Sequence, residues 1–227
     1  MIILKFFKFF FAFLLILITF GCDRDSLVNT TNPEQNQLVS PDEQITKDTT
    51  DTTDKIKFKL KNDSEAFFLK YKEDGAKLEA SDGKEIARFT FDEEKKIKIK
   101  NSADKVLGYI IYQKNVWKIE NAERTKKLYV LRRQTDGNYK LESGSDEFIY
   151  RIKMRDYGFE VEKPNKQLLY KIKVQEGRVA LKNTDDETVI YTKSNFIPIA
   201  VACFGFDVLN QEQKAALAYA VNLSGGQ

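Results

Sequence analysis

The stretch Tyr139-Lys140-Leu141, Ser143-Gly144-Ser145-Asp146, Phe148-Ile149-Tyr150-Arg151-Ile152 is followed by Phe159-Glu160-Val161, Lys163-Pro164-Asn165-Lys166, Leu168-Leu169-Tyr170-Lys171-Ile172. The two runs lie about 20 residues apart, and a fixed period of that size marks a repeated supersecondary unit. Each unit has an alternating apolar pair, then a polar turn, then an apolar and aromatic segment. Alternation with period two, rich in β-branched and aromatic side chains, specifies a half-buried strand. Ser, Gly, Asn, Asp and Pro between the halves specify a tight turn. Each unit is therefore a β-hairpin.

The same unit recurs on both sides. Alternating pairs stand at Phe58/Leu60, Leu78/Ala80, Ile97/Ile99, Trp117/Ile119 and Val179/Leu181. Partner segments follow at Phe67-Phe68-Leu69, Ile86-Ala87-Arg88-Phe89, Val106-Leu107-Gly108-Tyr109-Ile110, Leu128-Tyr129-Val130-Leu131 and Val189-Ile190-Tyr191. Turns such as Ser81-Asp82-Gly83-Lys84 and Asn183-Thr184-Asp185-Asp186 lie within units, and Gly75, Gly137, Gly158 and Gly177 lie between them. The pattern predicts a meander of twelve to fourteen strands. A sheet that long must manage its edges, and closure removes them, so the expected fold is all-β: a closed antiparallel barrel of about 12 strands. Its outward positions are charged, as in Lys95-Lys96-Ile97-Lys98-Ile99-Lys100, which reads as a solvated face. A transmembrane barrel needs apolar outward residues on longer strands.

After Tyr191 the pattern changes to Asn195-Phe196-Ile197-Pro198-Ile199-Ala200-Val201-Ala202-Cys203-Phe204-Gly205-Phe206, then a polar break, then Ala215-Ala216-Leu217-Ala218-Tyr219-Ala220-Val221. Asn210 with Gln213 three residues on fits a helix start, and Ser224-Gly225-Gly226 fits its end. A helix apolar around most of its circumference is surrounded by protein. It either fills the centre of the barrel or caps one open end. Cys203 lies inside the apolar run and reads as a small buried hydrophobe rather than a reactive thiol.

The lysine-bearing hairpins, as at Phe148–Ile152 and Leu168–Ile172, followed by Phe206-Asp207-Val208-Leu209 and a small-residue helix, resemble the tubby, phospholipid scramblase and LURP-one-related superfamily. The resemblance spans about residues 55–223 and implies a barrel threaded by a C-terminal hydrophobic helix. It also implies a leaning towards lipids, since tubby proteins bind phosphoinositides and scramblases act on lipids at membranes. No headgroup-binding residue and no calcium site is carried over.

At the other end of the chain, Lys5 and Lys8 precede an apolar run from Phe9 to Phe20, then Gly21-Cys22 and Asp23-Arg24-Asp25. This is the layout of a secretory signal, residues 1–21, and the run is too short for a spanning helix of about 20 residues. Gly21-Cys22 resembles the lipobox of bacterial lipoproteins, although Ile18 stands one place earlier than the usual Leu. The resemblance implies that Cys22 is acylated and anchors an exported protein to a bacterial membrane outside the cytoplasm. The other reading is an uncleaved signal anchor. Residues 22–55, rich in Asn, Thr, Gln, Asp and Pro, cannot bury enough apolar surface to offset ordering and read as a flexible tether, leaving residues 56–227 as the domain. With Cys22 lipidated, Cys203 has no disulfide partner.

The chain carries 37 Lys and Arg against 34 Asp and Glu; without Lys5 and Lys8 the balance is 35 against 34. That excludes a general polyanion binder, and nucleic acid with it. It has no His, so the commonest general base and metal ligand is missing. No phosphate-cradling loop or nucleophile elbow is present. Acidic runs at Asp92-Glu93-Glu94 and Asp185-Asp186-Glu187 lack the spacing of a calcium loop and read as solvated turns. The sequence thus predicts a domain without catalytic residues, metal or cofactor, whose surface binds a lipid headgroup or an envelope protein. The competing prediction is a lipid-handling catalyst or hydrolase with a cleft among the hairpin loops.

Overall fold

The computed structural model describes residues 55–227. The signal segment, Cys22 and the tether up to residue 54 lie outside the described residues. Fourteen strands follow in order: β1 Lys55–Lys59, β2 Glu65–Lys72, β3 Gly75–Ala80, β4 Glu85–Phe91, β5 Ile97–Asn101, β6 Val106–Gln113 and β7 Val116–Asn121. They continue with β8 Lys127–Arg133, β9 Tyr139–Ser143, β10 Phe148–Arg155, β11 Gly158–Glu162, β12 Leu168–Gln175, β13 Arg178–Lys182 and β14 Thr188–Thr192. Then come α1 Pro198–Ala202, a 3₁₀ turn Cys203–Gly205 and α2 Gln211–Leu223. Each strand pairs with its sequence neighbours, and β14 pairs with β1 to close an up-and-down barrel. The strand number falls at the upper limit of the range that the repeat predicts.

Alternation sets the wall. Fully buried Leu78, Phe89, Ile99, Ile110, Ile119, Leu131, Leu141, Ile152, Val161 and Ile172 point inward from successive strands, while lysines stand at the intervening positions. Two expected inward pairs are displaced. Leu60 is 41% exposed because the strand stops at Lys59 and a turn begins, so β1 buries Ile56 and Phe58 instead. In β3 the buried pair is Ala76 and Leu78, with Ala80 at the turn.

The turns inside the seven hairpins share one design. In Ala80–Lys84 the Ala80 amide donates to the Lys84 carbonyl at 2.8 Å and the Gly83 amide to the Ala80 carbonyl at 2.9 Å. The same two bonds recur at Leu60, Asn101, Ser143, Lys163 and Asn183, and at Asn121 the turn is one residue longer, its amide donating to the Lys126 carbonyl. One residue in each turn is left-handed: Asp63, Gly83, Asp104, Arg124, Asp146, Lys166 and Asp186. A register shift follows in the adjoining pair, as between Leu78 and Glu79. This is a type I turn closed by a one-residue bulge, and most of these turns place Asn, Asp or Ser where its side chain accepts amide bonds, as Asn183 Oδ1 does from Asp185 and Glu187. We call this rim the hairpin end and the opposite rim the tail end.

The centre is filled by a helical hairpin. After β14 the chain turns inward, α1 faces β11, β12 and β13, and α2 faces β3 to β7. Asn210 Oδ1 accepts from the Gln213 amide at 2.8 Å while Gln213 Oε1 accepts from the Asn210 amide at 3.2 Å, the capping box that the sequence predicts. The 13 residues of α2 span about 20 Å, matching the height of strands of 5 to 8 residues. The helix therefore runs from one rim to the other, filling the centre rather than capping an end. Ala215, Ala216, Ala218 and Ala220 are buried, and their small side chains let α2 pack closely on α1. Cys203 is fully buried, its thiol beside the Ile199 carbonyl at 3.6 Å; burial pushes the thiol far up from its ordinary pKa.

Candidate functional site

The tail end gathers the surface features that the core does not explain. Phe91, Tyr112, Met154 and Val174 close β4, β6, β10 and β12, and Leu223 closes α2. These are five of the eight large hydrophobics that are exposed among the described residues. The four strand residues share the parity of buried Phe89, Ile110, Ile152 and Ile172, one layer further out, so alternation aims them at the barrel mouth. A pocket of about 240 Å³ opens there between α2 and β4 to β6, lined by Phe91, Ile97, Ile110, Tyr112, Ala220 and Leu223, with Lys95 at its edge.

The final residues secure the mouth. The Trp117 indole donates to Ser224 Oγ at 3.2 Å and the Tyr139 hydroxyl to the Gly226 oxygen at 2.6 Å. Asn222 Nδ2 donates to the Tyr71 hydroxyl at 3.0 Å, and its Oδ1 accepts the Ile197 amide at 2.9 Å. Tyr112 donates to the Gln227 main-chain oxygen. Below this layer the Tyr219 ring packs 6.1 Å from Phe89 and 5.5 Å from Tyr71, and burial pushes its hydroxyl up to about 12.

Charge is distributed unevenly around the wall. Residues 55–227 carry 33 Lys and Arg against 26 Asp and Glu, a net +7. Residues 22–54 hold two basic and eight acidic residues, a net −6. The near neutrality of the chain thus averages two regions of opposite sign. On β8 to β11 most cations are paired, Arg132 and Lys140 with Glu142 at 2.9 and 2.8 Å, Lys153 with Glu162 at 3.0 Å and Arg155 with Glu160 at 2.6 Å, whereas Arg151 lies over the Phe148 ring instead. The Tyr157 hydroxyl donates to Glu160 at 2.5 Å, and burial followed by that bond pushes it to about 12. Across β13, β14, β1 and β2, by contrast, Arg178, Lys193, Lys55, Lys57, Lys59, Lys70 and Lys72 have no carboxylate within 4.0 Å among the described residues. Lys55 lies over the Phe68 ring at 3.5 Å and Arg178 over Tyr191 at 5.2 Å.

The Lys95–Lys100 run is partly neutralised, with Lys96 bound to Glu94 and Lys100 3.4 Å from Asp104, as a solvated face should be. Asp92 accepts from the amides of Glu94 and Lys96, and Asp186 is held at about 2 by hydrogen bonds from Lys173 and Lys182; both acidic runs form turns. The basic arc was not legible in sequence, because Lys57 and Lys193 meet only when the barrel closes.

No family model matches the chain, and no curated protein matches it. Among solved structures it is similar to the X-ray structure of a protein from Arabidopsis thaliana, at 10% identity and a TM-score of 0.37, over 66% of this chain and 86% of that one.

Proposed function

We propose that the protein is an exported lipoprotein, acylated at Cys22, whose barrel is a non-catalytic membrane-binding module that docks its tail end on an anionic bilayer surface. One observation carries this reading: the exposed apolar rim, the basic residues Lys55, Lys70, Lys72, Arg178 and Lys193 at strand ends or just beyond them, and the start of β1, where the preceding segment joins the domain, all lie at the same end. Apolar side chains that enter the headgroup region, flanked by cations that meet anionic lipid, are the ingredients of interfacial binding. A lipid on Cys22 and a tether of about 30 residues would keep that end within a few tens of ångströms of the bilayer. The lipid leaning of the tubby-like resemblance agrees with this role, and a barrel filled from rim to rim by helix favours surface binding over chemistry in a cleft.

The test is vesicle flotation of residues 55–227 on neutral and anionic lipids at low and moderate salt. The wild-type piece should float with anionic vesicles and less well as salt rises. The combined variant Phe91→Ser/Met154→Ser/Leu223→Ser should lose at least tenfold in partitioning while unfolding cooperatively like the wild type. Equal flotation of both would sink the tail-end assignment.

A further inference from the structure

The barrel closes at an unusual joint. Every other neighbouring pair of strands is joined by four to six register pairs, whereas β1 and β14 share one, Lys59 with Tyr191. On the tail side of that pair the strands part. The Lys57 amide reaches Ser194 Oγ at 3.5 Å, and the gap is a cleft of about 270 Å³ lined by Lys57, Lys59, Tyr191, Lys193 and Ser194. Arg178 lies over the Tyr191 ring, and the Tyr191 hydroxyl donates to Asp63. Inside the joint Phe58 stacks on Phe67 at 4.7 Å and touches Phe196 and Phe204 at 5.4 and 4.9 Å, so aromatic packing holds what backbone pairing does not. Outside, Lys57 and Lys59 on one strand confront Lys193 and Arg178 on the other side. Like charges across a joint oppose its closure. Asp63 registers the local field: its carboxyl is held below the usual range first by the Tyr191 hydroxyl and then by Lys59, Lys193 and Arg178.

We propose that this cleft is a site for a phosphate-class polyanion, a phosphomonoester or pyrophosphate group, which bridges β1 and β14 and completes the closure of the barrel. Ammonium and guanidinium groups offer only donors, and a multiply charged anion with several acceptor oxygens satisfies more of them than a carboxylate does. By neutralising both sides the anion removes the repulsion that keeps the joint short. The cleft draws on cations that membrane docking also uses, but the two fail separately, since the serine variant of the apolar rim leaves all of these cations in place.

The experiment uses the full chain in zwitterionic detergent micelles and compares pyrophosphate with acetate at matched ionic strength, by calorimetry and by thermal midpoint. Pyrophosphate should bind at least tenfold more tightly than acetate and raise the midpoint by several degrees. Lys57→Gln/Lys193→Gln should weaken that binding at least tenfold and, without anion, raise the midpoint, because it removes repulsion. Lys118→Gln, on β7, should change neither. A second arm compares micelles doped with phosphatidic acid, a phosphomonoester lipid, with micelles doped with phosphatidylglycerol, a diester. Selective binding in both arms assigns the site to the phosphate group itself; selectivity for phosphatidic acid alone assigns it to a lipid headgroup. Pyrophosphate no better than acetate together with phosphatidic acid no better than phosphatidylglycerol overturns the proposal, and so does wild-type affinity in the double glutamine variant.

Discussion

The two rims of this barrel are made by the same strands, yet they are held together by different means. At the hairpin end each turn is closed by residues within five of one another, as when Asn183 takes the amides of Asp185 and Glu187. The tail end has local turns too, Asp92–Lys96 and Gln134–Asn138 being closed by the same two bonds, but it adds ties between residues far apart: Trp117 with Ser224, Tyr139 with Gly226, Tyr71 with Asn222. The first rim is specified seven times over by local sequence and leaves its polar groups satisfied. The second depends on the interior helices arriving, and it leaves apolar and basic side chains facing outward. Local redundancy builds a scaffold, while long-range closure creates the surface that can do something.

The largest expected break in this contrast is Trp117→Ala. The indole is fully buried and ties β7 to the final residues, so its loss should remove about 3–5 kcal/mol and release the end of the chain to amide exchange before the hairpin turns. A loss under about 1 kcal/mol in urea unfolding would mean that the tail-end contacts are ornamental.

Next in size is alkaline pH. Tyr219 is raised from 10.0 to about 12 by burial, so the folded state favours its neutral form. That contribution is fully present below about pH 10 and is lost as pH rises towards 12, on the order of 2 kcal/mol. Tyr219→Phe should flatten this part of the stability profile. The hairpin end responds in the opposite range. Asp186 is lowered from 3.8 to about 2 by Lys173 and Lys182, so its contribution is present above about pH 4 and fades as pH falls towards 2. Amide exchange in the 183–187 turn should quicken in acid before exchange near Ser224 does.

Smaller still are changes to single turns. Asn183→Ala removes the Oδ1 that accepts from two amides and should cost about 1 kcal/mol. Lys166→Gly, at φ 66°, relieves a left-handed residue and should shift stability by less than about 1 kcal/mol. Either change leaving the rest of the barrel's exchange pattern untouched would sharpen the picture of independent turns.

This division also marks how far the sequence could be read. The hairpins, their turns and the capping box at Asn210 and Gln213 were legible because each is written within a few residues. So was the buried character of α2, from its run of Ala with Leu217 and Tyr219. Leu60 misled because its apolar character continues the alternation one step into a turn. Phe91 and Met154 were hidden for a related reason: parity assigns them to the core, and only the height of the helical hairpin shows that they clear it. The joint between Lys59 and Tyr191 was invisible, since its two sides are 132 positions apart and no local signal states where a meander closes. The whole-chain charge concealed the basic arc because residues 22–54 offset it.

The placement of the interior helices after all fourteen strands has a consequence for the order of assembly. Neighbouring strands need only short loops to meet and can zip as each hairpin appears. The wall cannot wrap into a filled cylinder until residues 198–223 arrive, because an empty interior of this width has nothing to pack against. A chain delivered from its N-terminus would therefore wait as an open, edge-exposed sheet until its last tenth emerged. During that interval the lysines along β1 would act as gatekeepers against sheet-to-sheet association.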